Sequence, residues 1–396
     1  MSQALRVPPI DFKTRFPALD GIRALAITMA FLVHYGGGSH GGHVLRALNA
    51  IRTRGWIGVD LFFVLSGFLI TGILFDTRND SHFFRRFFVR RGLRILPVFY
   101  LVFAILLLLT PIFHYQWHWM QLTFLIYLGN FFANHNWSLY LLISRNHPDA
   151  TVLFDHLWSL CVEEQFYLLW PFVVWAIRDR VRLLWTAGGI AAFSILLRVA
   201  MVALLPENVA STWVPRTLPF LMDTLLIGAI LALLLRGPSA DAWLRRCKSI
   251  ALWGGVLLLL FLAIPLEASA RWMLTLGFTL IAVVGAGLIG STLQPGSLVF
   301  RFFNLRPLRI LGKYSYGFYI YHLLYMSAWI RLLKFISNRT HSIMLGGLIE
   351  IPCNFCVTFI VSKLSYDFVE IRFLRWKDRF QYDSEKLEHR HAFPAK

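Results

Sequence analysis

Apolar residues along this chain fall into long blocks separated by short, mostly basic segments, near 21–36, 56–76, 93–112, 156–177, 183–205, 214–236, 249–267, 271–293, 310–333 and 343–366. Each block runs roughly 18 to 25 residues, the length a helix needs to cross about 30 Å of hydrocarbon. The stretch 119–133 is apolar but shorter. If it does not cross, the N-terminus, 77–92, 178–182, 237–248, 294–309 and the C-terminal tail share one side. That side then collects nearly all the basic clusters, from Arg85 and Arg86 to Arg306 and Arg309. Such an excess marks the cytoplasmic face, because Lys and Arg resist translocation. The pattern therefore predicts an all-α, polytopic transmembrane helical bundle of about ten spans. Both termini are expected in the cytoplasm, 119–133 re-entrant or interfacial, and 113–155 outside. Residues 1–20 read as a cytoplasmic N-terminal segment, 21–370 as the transmembrane domain and 371–396 as a basic cytoplasmic tail.

Composition agrees. Hydrophobic residues make up 57% of the 396 and charged ones 15%, less polar surface than a soluble domain of this length requires. The 39 Lys+Arg against 21 Asp+Glu, net +18, could suggest nucleic acid. The basic residues, however, sit between apolar blocks rather than along one soluble face, so the expected partner is the lipid bilayer, with no nucleic acid. The N-terminus is polar and lacks a signal-peptide pattern, so the first apolar stretch is expected to remain as a helix. Cys161, Cys247, Cys353 and Cys356 lie in or near apolar segments, and CNFC has no second pair to complete a zinc site; they read as packing residues, and no metal is expected.

Ionisable residues inside spans are the informative ones, because each is costly to bury without a partner or water. The first span carries Arg23 near its cytoplasmic end and His34 eleven residues later, on one helix face about 16 Å away. An interfacial histidine can simply end a helix, but neutral imidazole is also a natural base for a hydroxyl. In GVDLFFVLSGFLITGIL, Asp60 opens the span and Ser66 and Gly67 sit near mid-depth, where small residues let helices approach closely. Asp60 could pair with a cation or bind an acceptor. Arg90, Arg91 and Arg94 in FFRRFFVRRGLRILP either set topology or, with Arg90 and Arg94 four apart, point together toward a phosphate. Glu163 and Glu164 are consecutive carboxylates in WSLCVEEQFYLLWP. They either form a structural ion pair, or one of them orients a histidine or carries a proton. Arg216 and Asp223, seven apart, read as a pairing on one helix face. His322 is a second membrane histidine, and Tyr314, Tyr316, Tyr319 and Tyr321 make its surroundings polar enough for a substrate or water. Glu350 and Glu370 add further buried carboxyls.

In this order FPALDGIRALA with Arg23 and His34, GVDLFFVLSGFLIT, RRGLRILP, WSLCVEEQFYLLWP, MDTLLIGAIL and SYGFYIYHLL resemble the bacterial acyltransferase-3 family of membrane O-acyltransferases, over roughly residues 16 to 375. The resemblance implies a ten-helix core in the bacterial cytoplasmic (inner) membrane. It also implies a donor acyl-CoA, with acetyl-CoA expected, as a substrate rather than a permanently bound cofactor. The acceptor is a hydroxyl of a saccharide or similar compound at the outer face. Arg23 and His34 become the family's essential pair, and the arginines after the second span belong to the donor side. Some members carry a C-terminal esterase-like domain, whereas this chain looks like a stand-alone member.

Residues and resemblance then join in one expected mechanism. Arg90, Arg91 and Arg94 hold the CoA phosphates, and His34 deprotonates the acceptor with help from Glu163 or Glu164. Asp60, Ser66, Arg216, Asp223, Tyr319 and His322 are candidates for substrate contact. The rival class is a transporter or flippase for a lipid-linked or anionic solute. A membrane scaffold is the blandest alternative, and it gives no reason to bury so many charges.

Overall fold

A computed structural model describes residues 16–35, 52–132, 140–142, 151–263 and 271–382. Among them ten helices reach 15 residues: α1 (Pro17–His34), α2 (Ile57–Asp76), α3 (Phe83–Phe113), α4 (Trp158–Ala176), α5 (Arg180–Leu204), α6 (Leu218–Leu234), α7 (Ala240–Ala263), α8 (Phe278–Thr292), α9 (Met326–Thr340) and α10 (Ile343–Ser365). Six helical stretches are long and apolar enough to cross a membrane, or seven if Glu207–Arg216 and α6, bent by 42°, form one span. A small antiparallel ladder pairs β1 (Tyr140–Leu142) with β2 (Thr151–Leu153). Much of 37–55, and of 134–155 within the segment expected outside, lies beyond the described residues, as does 383–396 of the basic tail.

Two local readings change and a third holds. The arginine-rich segment before the third block is not a loop: it forms the first turns of the 31-residue α3, because Phe, Val, Leu and Arg all propagate a helix once nucleated. The block 310–333 is not one rod. Short helices Arg306–Lys313 and Ser315–Tyr321 precede α9. At the break His322 Nδ1 turns back on the carbonyl of Tyr319 at 2.6 Å, a local bond that competes with helical propagation. The stretch 119–133 forms a single α turn, Trp119–Leu122, and two 3-10 turns. These are separated by Tyr127 at φ 56°. Nothing there is long enough to cross, in line with the re-entrant or interfacial reading.

Packing resolves two compact units, Met1–Gly72 with Arg180–Ser315 and Ile73–Asp179 with Tyr316–Lys396. In the first, α6 packs on α5 and α8, α7 packs on α8, and α1 packs on Arg306–Lys313. Its core joins Ile22, Ala26, Val64, Phe68, Ala232, Ala282 and Ile289. Glycines set the closest approaches. A Cβ on Gly67 would stand 1.8 Å from the carbonyl oxygen of Leu225, and one on Gly228 1.9 Å from that of Val64, so α2 and α6 notch into each other at two reciprocal points. Gly67→Val is therefore expected to destabilise the protein by about 1–3 kcal/mol through overpacking, read as a lower melting temperature of the purified protein in detergent. In the second unit α9 packs on α10, and the terminal helix Ile371–Lys377 packs on α3.

Candidate active site

In the first unit α1 presents Arg23 near its start and His34 as its last residue. Gly21 and Gly312 bring other backbone against this end: a Cβ on Gly21 would meet the oxygen of Phe303 at 2.0 Å, and one on Gly312 the oxygen of Asp20 at 1.7 Å. The motif DGIR thus buries Asp20, 6% exposed, and Asp20 forms an ion pair with Arg23 one turn on. Arg23 and His34 sit eleven residues apart on the same helix, about 16 Å by rise, so their pairing cannot be a direct contact. At the other end Arg52 donates to the carbonyls of Val33 at 3.4 Å and Tyr35 at 3.0 Å, satisfying acceptors that a helix terminus leaves open. His34 lies between those two anchored residues and is half-buried.

Asp60 opens α2, 3% exposed, in electrostatic reach of Asp223 and Arg198. Ser66 is half-buried beside the Gly67 notch. Asp223 and Arg198 are both fully buried and joined by two bonds, Nη1 to Oδ1 at 3.0 Å and Nη2 to Oδ2 at 2.8 Å. The other donors of the same guanidinium reach the carbonyls of Thr275 and Phe220 and the hydroxyl of Thr279. All five of its N–H groups are therefore committed. Thr279 also donates to the carboxylate, and the hydroxyl of Ser194, which donates to the carbonyl of Pro219 at 2.7 Å, lies 3.5 Å from it. The partner of Asp223 thus comes from α5, a residue that pattern reading passed over. The expected single face for Arg216 and Asp223 is corrected: Arg216 belongs to the 3-10 turn Val214–Arg216, and the chain becomes extended at Thr217 before α6 begins. Pro219, which lacks an N–H, seats within the first turn of the new helix.

In the second unit Arg90, Arg91 and Arg94 fan out from α3. Arg90 donates to the carbonyl of Phe380 at 3.1 Å and lies over the Tyr382 ring at 4.6 Å. Arg94, exposed, is in electrostatic reach of Glu370, so both members of the i, i+4 pair point toward the C-terminal segment, as their spacing requires. Arg91 turns the other way. Its guanidinium lies 4.0 Å over the ring of Tyr167 and in electrostatic reach of Glu164 and Glu163, a cation held by an aromatic face and two half-buried carboxylates. Arg86, which was read with the same cluster, forms an ion pair with Asp80. Gln165, two residues before Tyr167, donates to the carbonyl of Tyr127 at 2.8 Å and to Asn130 at 2.9 Å. This fastens the irregular 119–133 segment to α4.

His322 is 1% exposed and His156, which sequence reasoning did not single out, 3%. Their rings lie 4.8 Å apart. Since a carbonyl only accepts, Nδ1 of His322 donates to Tyr319, and Nε2 of His156 donates to Ile320 at 3.1 Å. The hydroxyl of Tyr319 donates to the carbonyl of His156 at 2.7 Å and contacts Ser159 at 2.5 Å. The hydroxyls of Tyr316 and Tyr321 reach the carbonyl of Ile95 and Ser365. The hydroxyls of Tyr316, Tyr319 and Tyr321, read as polar lining, are therefore spent on the protein. The signal that could have found His156 is its place beside Asp155 at the mouth of the fourth block, and Arg198 is a lone charge in LLRVA; both satisfy the rule that singled out Glu163.

Residues 16–366 match the acyltransferase domain family. Among curated relatives, the peptidoglycan O-acetyltransferase OatA of Listeria monocytogenes is 28% identical over 375 residues, 89% of this chain and 55% of its own length. The O-acetyltransferase OatA of Staphylococcus aureus is 27% identical over 365 residues, 89% of this chain and 56% of its own. A putative O-acetyltransferase of Staphylococcus aureus, SAR0937, is 26% identical over 386 residues, 92% and 59%. The chain spans between 55% and 59% of the length of these relatives. No solved structure matches. The match takes in α1 with His34, the arginines of α3 and the carboxylates of α4, and the chain belongs to this acyltransferase family.

Proposed function

We propose that the protein is a multi-pass membrane O-acetyltransferase that moves an acetyl group from acyl-CoA to a hydroxyl of a saccharide. The acceptor class rests on the relatives, of which one is named for peptidoglycan. The observation that carries the reading is the family match over 16–366. His34 acts as general base: it takes the proton of the acceptor hydroxyl as the oxygen attacks the thioester carbon, and the C–S bond breaks to release the CoA thiolate, which is then protonated. Neutral imidazole suits the task because its ordinary pKa lies near the working pH.

On the donor side the geometry divides the arginines. Arg91 is engaged by Tyr167 and the two glutamates, and Arg90 by the C-terminal segment. Arg94, which also has Glu370 in electrostatic reach, is the solvent-exposed member of the three and is assigned to the CoA phosphates on that accessibility. Glu163 and Glu164 are assigned to holding Arg91.

Membranes carrying the protein, given labelled acetyl-CoA and a saccharide acceptor, are expected to release CoA and place label on the acceptor. Solute movement without thioester consumption would overturn the reading in favour of a transporter. Arg94→Glu is expected to raise KM for acetyl-CoA about tenfold, roughly one charge-assisted contact, with kcat little changed. An unchanged KM would remove Arg94 from the donor site.

A further inference from the structure

A cavity of about 290 Å³ opens in the first unit between α7 and α8, beneath the turn that leads into α2. That is near the lower end of the roughly 300–1,000 Å³ typical of ligand pockets. Its walls are apolar apart from Arg54. Trp56 and Trp272 also line it and pack against one small cluster of Ile57, Met273 and Ile281. Arg54 is only 7% exposed, so its guanidinium is turned into the protein. Ile281 and Gly254 also line the cavity, and a Cβ on Gly254 would stand 2.6 Å from the side chain of Val284. The cavity skirts a π-helical turn, Met273–Gly277, a distortion often found at functional positions. Leu257 and Leu280, which also line it, are 56% and 53% exposed, so its mouth opens sideways on the surface that the bilayer covers.

We infer that this cavity holds one acyl chain of an anionic phospholipid, whose phosphate meets Arg54. The lining combines the groups such a lipid would use, a cation and two indole rings, of the kinds that gather at headgroup level, together with hydrocarbon walls and exposed leucines. Arginine binds a phosphate through paired N–H groups, which favours an anionic headgroup over a neutral chain end. The walls offer no polar group to saccharide, so the site is one for a resident lipid, separate from the residues assigned to acyl transfer. It does not depend on the acyltransferase reading.

The test uses the full chain reconstituted in nanodiscs of phosphatidylglycerol and phosphatidylcholine and released for native mass spectrometry. The wild type is expected to retain one phosphatidylglycerol per chain with at least about a tenfold preference, the scale of one charge-assisted contact. Arg54→Gln is expected to bring that preference to parity, and Leu280→Trp, which fills the mouth, to lower retention of both lipids. Equal retention of both lipids by the wild type, or retention unchanged in both variants, would overturn the assignment. So would polyprenyl phosphate in place of phospholipid on protein taken directly from cells. Leu280 is exposed, so its variant tests the site even if Arg54→Gln fails to accumulate.

Discussion

Replacing His34 with alanine is expected to lower acetyl transfer by about 10²–10⁴-fold, the usual contribution of a positioned general base, while the protein accumulates and melts as the wild type does. The separation of the two effects follows from position. His34 is the last residue of α1 and half-buried, so truncating its ring opens little space in the core. The loss should fall on kcat, because deprotonation of the acceptor belongs to the transition state. His34→Gln, which keeps hydrogen bonding but cannot take the proton, should be equally impaired. Transfer at the wild-type rate in either variant would remove His34 from the chemistry.

The second large effect is on stability. Asp223→Ala leaves Arg198 with its charge in a fully buried site and should cost about 3–5 kcal/mol, the penalty for breaking one side of a buried pair. Removing both charges, as in Arg198→Met with Asp223→Leu, should recover much of that loss. The measurement is a denaturation series of the purified protein in micelles for wild type, both single variants and the double. A double variant less stable than either single would overturn the expectation that the single loss comes from the charge left unpaired.

The fold was legible where the physics is one-dimensional. Span length and the sidedness of arginine depend only on the chain and the bilayer, so α1, α2, α5 and α10 fall close to their expected bounds. What was not legible depends on neighbours. Gly67 and Gly228 look alike to any other small residue until the carbonyls of Leu225 and Val64 are set against them. Ionisable residues stand out in spans from the sequence alone, but their partners were not readable. Asp223 was expected to work with Arg216, seven residues away, and instead meets Arg198 from another helix, because a chain extended at Thr217 cannot carry one face across. The i, i+4 rule did anticipate the common direction of Arg90 and Arg94, a contact set within one helix. It could not say that the intervening Arg91 would be taken up by Tyr167.

Arg52 gives one more consequence. By holding the carbonyls of both Val33 and Tyr35, it pins the main chain on either side of the imidazole, like two bearings on one axle. The ring can swivel about its own two torsions, but its pivot stays fixed. On the proposed mechanism, any travel needed to bring hydroxyl and imidazole together therefore falls to the acceptor, and the reach of His34 is set by the length of a single side chain.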